Sequence, residues 1–119
     1  MQIINYEDFR KIGLGLRQSK GVSEYINEEG FPEWIHHYFK DDLYSYMKTV
    51  EIIQNIIDMD IVKWLDILNI TLEEFANNYG VPFRTAQDWK FEKTHLKGYI
   101  KDLLCYTVYT KVASNDSIK

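Results

Sequence analysis

Residues 71 to 90, TLEEFANNYGVPFRTAQDWK, hold the side chains in this 119-residue chain whose types and spacing best suit a recognition chemistry. Small residues, a glycine, two apolar residues and a tryptophan fall at offsets that suit two short helices meeting at a tight corner, a shape that often reads DNA. In the second of these helices Ala86 and Trp89 share one face, while Arg84, Gln87, Asp88 and Phe91 recur at i, i+3, i+4 and i+7 on another. One stripe is therefore expected to pack and the other to be presented. The chain carries a formal charge of −4, and a uniformly acidic protein repels phosphate. The charge is uneven, however: residues 1–70 hold 7 Lys/Arg against 12 Asp/Glu, net −5, whereas residues 71–119 hold 7 against 6, net +1.

Other groupings point to structure rather than chemistry. His36 and His37 are adjacent, so on a helix they diverge by about 100° and do not share a metal as an i, i+4 pair does. The acidic pairs Glu28-Glu29 and Asp41-Asp42 sit where helix ends are expected and read as caps and solvated charges. GLGLRQSKG, residues 13–21, lacks both the spacing and the Lys-Ser/Thr ending of a phosphate-cradling loop, and reads as a connector. The single cysteine, Cys105, excludes an internal disulfide and reads as a buried core thiol in a reducing compartment, the cytoplasm. No nucleophile, base and orienter assemble, so an enzyme is not expected, nor is any metal or cofactor. No apolar run approaches the roughly 18 residues of a membrane span.

The elements that must position the presented stripe are all expected to be helical. Asn5 caps a short helix through Phe9 and Ile12 that Gly13 and Gly15 should break. Val22 to Glu29 reads as a helix closed by Gly30, and Phe31-Pro32 opens another through Trp34, Ile35, Tyr38 and Phe39. Behind a cap at Asp41 or Asp42, Leu43, Tyr46, Met47, Val50, Ile53 and Ile57 recur at three and four. The pattern restarts at Ile61, Trp64, Leu65 and Leu68 and ends at Asn69, which tolerates the left-handed conformation. Thr71 and Glu74 form a capping box, Leu72, Phe75 and Ala76 face inward, and Gly80 closes that helix before Val81 plugs the corner and Pro82 opens the next. Tyr99, Ile100, Leu103, Leu104 and Val108 then form a stripe that is either core or a dimer seam. The fold class is all-α: a small helical bundle with an acidic, aromatic-rich helical extension over 1–59 and the corner within 60–119, expected to pack as one unit.

Ala76, Gly80, Val81, Ala86 and Trp89 occupy the alanine, glycine, aliphatic, aliphatic and tryptophan positions of the helix-turn-helix in phage-repressor-like (XRE/Cro-type) regulators, which residues 60–112 resemble. PFRTAQDW, followed by a helix such as HLKGYIKDLLCYTVYTKV, also resembles a subgroup of small bacterial, phage and plasmid helix-turn-helix proteins. The resemblance implies that residues 83–91 are a recognition helix in a major groove, with Phe83, Arg84, Gln87 and Asp88 against base edges. Arg84 would then pair with guanine, Gln87 with adenine and Asp88 with cytosine N4, while Thr85, Lys90, Lys93, His95 and Lys97 would lie along phosphates. Leu72, Lys90, Phe91 and Glu92 depart from the family pattern, standing where it has a polar phosphate contact, an acidic residue, a polar residue and a glycine. The implied function is sequence-specific transcriptional regulation as a homodimer on double-stranded DNA. The acidic first half suggests an alternative: a protein-binding inhibitor of the anti-CRISPR-like, anti-defence type that offers an acidic helical surface to a basic partner.

Overall fold

The computed structural model describes residues 2–96 and 98–118, with side chains through 115. Among them every regular element is an α-helix and there is no strand, so the fold class is all-α. None of these helices is long and apolar enough to cross a membrane. The chain divides into two units, one of residues 1–58 with 109–119 and one of residues 59–108.

The first unit holds α1 (Tyr6–Gln18), α2 (Val22–Glu29), α3 (Glu33–Phe39), α4 (Leu43–Ile57) and the end of α8 (Gly98–Ile118). Asn5 caps α1 through its side-chain oxygen, which accepts from the Asp8 amide at 2.8 Å. The expected break at Gly13 and Gly15 does not occur, and residues 13–18 of the supposed connector are helical. The reason is packing. A β-carbon at Gly15 would collide with the ring of Tyr25, so this glycine lets that side chain reach the α1 backbone, whereas one at Gly13 would make ordinary contact with Ile57 Cδ1 at 3.5 Å. The close approach at Gly15 offsets the roughly 1 kcal/mol that a glycine costs a helix interior.

Helix α4 starts from Asp42, whose carboxylate accepts from both the amide and the hydroxyl of Ser45, and these bonds hold its carboxyl below the usual carboxylate range. Its buried stripe is Tyr46, Thr49, Val50, Ile53, Ile56 and Ile57. Leu43 and Met47, expected in that stripe, are exposed: Met47 lies more than about 100° from its centre on the wheel, and Leu43 is the first residue of the helix, ahead of the first buried position at Tyr46. Aromatic groups link the other elements: Phe31 and Phe39 lie against Tyr46 at 5.2 and 5.9 Å, and Phe9 against Tyr109 at 5.4 Å. The Tyr109 hydroxyl accepts from the Ile4 amide at 3.1 Å, and the Tyr38 hydroxyl donates to Asp8 at 2.7 Å. The Tyr46 hydroxyl is buried beside the Tyr25 hydroxyl, and burial pushes both phenols above the ordinary tyrosine range.

The second unit holds α5 (Ile61–Leu68), α6 (Leu72–Tyr79), α7 (Phe83–Lys90) and the first part of α8. Asp60 caps α5 by accepting from Lys63 N, and Asn69 ends it in the left-handed region at φ 57°. The core of this unit is Ile61, Trp64, Leu65, Phe75, Ala76, Ala86, Trp89, Ile100, Leu104, Cys105 and Val108.

Candidate nucleic-acid interface

The corner is built from local rules that reinforce one another. Thr71 Oγ1 accepts from the Glu74 amide at 3.1 Å while the Thr71 amide donates to Glu74 Oε1 at 3.0 Å, completing the capping box. At the other end of α6 Gly80 takes φ 65° and ψ 33°, and the Val81 amide donates to the Ala76 carbonyl at 2.8 Å. That left-handed residue followed by a bond back to the last turn is the glycine C-cap. Pro82, fixed near its intrinsic φ at −57°, leads into α7, and its carbonyl accepts from Ala86 N at 3.1 Å.

Side chains then hold α7. Ala86 is fully buried and Ala76 nearly so, which places small side chains at the inward positions of α6 and α7. Phe75 lies 6.3 Å from Trp89 and 4.8 Å from Tyr79, centroid to centroid, fixing the rotation of α7 about its axis. With Ala86 and Trp89 inward, the opposite stripe must face out.

Of the base-reading set, Arg84 and Phe83 are exposed, and Gln87 and Asp88 are half-buried along the same side of α7 as Arg84. Phe83 and Lys90 lie together on one flank of that stripe and Thr85 on the other, since each residue turns the helix by about 100°. Thr85 is half-buried and lines a groove with Tyr79, Gly80, Val81, Pro82, Trp89, Tyr99, Ile100 and Leu103. Helix α7 stops at Lys90, one residue earlier than the expected end at Phe91, which is the C-cap.

Past Phe91 the chain turns sharply through Glu92, a non-glycine residue at φ 60° in the place where the resembled family has glycine. Lys93 N donates to the Asp88 carbonyl at 2.8 Å, which returns Lys93 to the end of α7. Lys90, Lys93 and His95 are exposed; Lys97 lies outside the described residues. Among the described residues no ion pair engages Arg84, Lys90 or Lys93. Lys90 instead rests 5.6 Å from the ring centroid of Phe91, whose ring is largely exposed. Residues 83–101 hold five Lys/Arg against two acids, net +3, although the unit of residues 59–108 as a whole holds six against seven, net −1.

Beside α7 a cleft of about 330 Å³ brings together Asp60, Trp64, Trp89, Glu92, His95 and Lys101, and Lys101 Nζ lies 5.9 Å from the Trp64 ring. No group of three His, Cys, Asp or Glu side chains suited to a metal occurs among the described residues. In the first unit His36 is half-exposed with Nδ1 3.6 Å from Asp41, while His37 is exposed. The stripe on α8 is divided: Ile100, Leu104 and Val108 are core, whereas Tyr99 and Leu103 are 62% and 42% exposed beside the Thr85 groove. The sequence signal for that division was the i, i+4 spacing of Tyr99 and Leu103, which periodicity alone does not assign to core or surface.

Comparison with protein-family models, curated proteins and solved structures finds no match to this chain.

Proposed function

We propose that the chain is a sequence-specific DNA-binding transcriptional regulator of the bacterial, phage or plasmid kind, cytoplasmic, acting as a repressor-type homodimer through a helix-turn-helix made of α6 and α7. What supports this reading most is that α7 turns Ala86 and Trp89 into the core, leaving Arg84 exposed beside Gln87 and Asp88 and flanked by Lys90 and Lys93 without carboxylate partners. Cations without an internal partner are free to displace counterions from phosphate. A planar, bidentate guanidinium on the exposed first turn of α7 suits guanine O6 and N7, and Gln87 one turn on suits adenine. Asp88 selects cytosine N4 or otherwise opposes phosphate, which limits non-specific binding.

The test is a salt titration of binding to random and to selected duplexes. A log–log slope of several counterions supports the reading, and no duplex binding at low salt overturns it. Arg84→Ala or Gln87→Ala should cost roughly 1–3 kcal/mol on the preferred site and relax its sequence, whereas Lys93→Ala should weaken all duplexes alike and reduce the salt slope by about one.

A second reading rests on the other unit. Residues 1–58 with 109–119 hold eight Lys/Arg against eleven Asp/Glu, net −3, and Glu28, Glu29, Asp41 and Asp42 are all exposed. Such a surface fits an anti-CRISPR-like inhibitor that blocks a basic nucleic-acid channel, with the corner structural or autoregulatory. Reversing these four acids to Lys distinguishes the readings. Tighter DNA binding favours the regulator, and loss of binding to a basic nucleic-acid-processing protein favours the inhibitor.

A further inference from the structure

Phe91 is 64% exposed at the end of α7, and the backbone around it explains why the ring stays outside. Its amide still makes the helical bond to the Gln87 carbonyl at 3.0 Å, so Phe91 keeps the register of α7. Seven residues turn a helix through about 700°, just short of two turns, so Phe91 shares the presented stripe with Arg84 and stands about 10 Å further along the axis. Immediately afterwards the Glu92 amide donates to the Trp89 carbonyl at 3.2 Å and the Lys93 amide to the Asp88 carbonyl at 2.8 Å, with Glu92 at φ 60°. Those paired bonds are the Schellman arrangement, which is usually built around glycine and sealed by an apolar contact between its outer positions. Here the outer positions are Asp88 and Lys93, and a glutamate holds the left-handed position at some cost in strain. The turn carries the chain away from the helix axis and leaves the Phe91 ring at the edge of the stripe, with Lys90 Nζ 5.6 Å from its centroid.

We infer that Phe91 is a base-reading residue and that what it reads is the 5-methyl group of thymine, about three base pairs from the pair met by Arg84; the inference rests on the DNA-binding reading above. Chemistry selects that group. A phenyl ring neither donates nor accepts, so against the polar edges of guanine, adenine or cytosine it would desolvate hydrogen-bonding groups and return nothing. In the major groove only thymine offers a methyl, and covering it with the ring removes apolar surface from water on both sides. Charge brings the two together. Arg84, Lys90 and Lys93 are exposed around the ring without ion-pair partners among the described residues, a setting that attracts phosphate rather than an apolar peptide. The separation follows from the helix: about 10 Å along α7, laid along the groove, spans about three steps of roughly 3.4 Å each. Lys90, beside the ring, is placed to hold a neighbouring phosphate.

Deoxyuridine pairs as thymine does but lacks the methyl, so it isolates the contact. In the duplex selected by the titration above, each thymine is replaced singly by deoxyuridine and binding is measured again. The wild-type chain should lose about fourfold at one position, which is what burial of one methyl-sized group is worth. That position should lie about three pairs from the one where Arg84→Ala relaxes the sequence. Phe91→Ala should bind the thymine and deoxyuridine duplexes alike, with the wild-type salt slope because no charge is lost, and Phe91→Leu should keep part of the preference. A selected site without thymine at that distance, wild-type binding that ignores every methyl, or a methyl preference that persists in Phe91→Ala would each overturn the inference. The deoxyuridine scan on the wild-type chain needs no variant, so it decides the matter even if Phe91→Ala misfolds. Absence of duplex binding at low salt overturns the regulator reading and this inference together, whereas duplex binding without methyl dependence removes only the role of Phe91.

Discussion

In α1, Gly15 lies within regular helical backbone, and what it supplies is space, because a β-carbon there would run into the buried ring of Tyr25. At the α6–α7 corner, Gly80 has nothing within 4 Å of where its β-carbon would stand, and what it supplies is a positive φ. The first unit thus uses glycine for close packing and the second uses it for chain reversal. The units also differ in how they bring helices together. The corner relies on alanine, Ala86 against α6, while its caps and turns follow local preferences, apart from Glu92 at φ 60°. The first unit tolerates a local cost: Lys40 ends α3 at φ 53° and ψ −120°, a conformation suited to glycine. A unit whose local rules agree with its packing is legible one helix at a time. One held by mutual contact is not.

The strongest way to break the comparison is Ala86→Glu. If the corner depends on this close approach, an unpaired buried carboxylate there should cost about 3–5 kcal/mol in chemical denaturation. Unchanged stability would remove the basis for assigning α7 its inward face. Next in size is Gly15→Ala, which should destabilise by about 1–3 kcal/mol through overpacking against Tyr25. Gly13→Ala is its control. There the added methyl makes only ordinary contact with Ile57 and the helix gains up to about 1 kcal/mol in propensity, so equal effects at the two glycines would refute the spatial role assigned to Gly15.

Gly80→Ala should cost about 1 kcal/mol from backbone strain alone, with Gly80→Asn milder because asparagine tolerates the left-handed region. A thermal melt showing no difference between these two substitutions would contradict the purely conformational role. In the opposite direction, Lys40→Gly should raise stability by about 1 kcal/mol by relieving strain, an outcome excluded if urea midpoints fall instead.

Helix α6 was legible to its last residue because its signals are local: the Thr71–Glu74 box acts across three residues and Gly80 acts through its own φ. Asn69 closed α5 by the same means, its own φ. Helix α1 was misread at Gly13 because the signal used there was also local, a propensity of about 1 kcal/mol, while the opposing contributions come from Tyr25 and Ile57, distant in sequence. In the candidate site Arg84 could be placed on an exposed surface from spacing alone, whereas Thr85 could not, since its surroundings include Tyr99 and Leu103 on α8.

Caps, breakers and apolar periodicity, each acting within about four residues, were enough for the sequence by itself to determine an all-α chain, the bounds of α2, α5 and α6 and the inward face of α7. Only the tertiary structure decided that α1 continues through its glycines, that Leu43 and Met47 on α4 and Tyr99 and Leu103 on α8 remain outside, and that residues 109–119 belong with the first unit. Periodicity says that an apolar stripe exists, but burial requires another element of matching shape, and that match is a property of residues far apart in the chain.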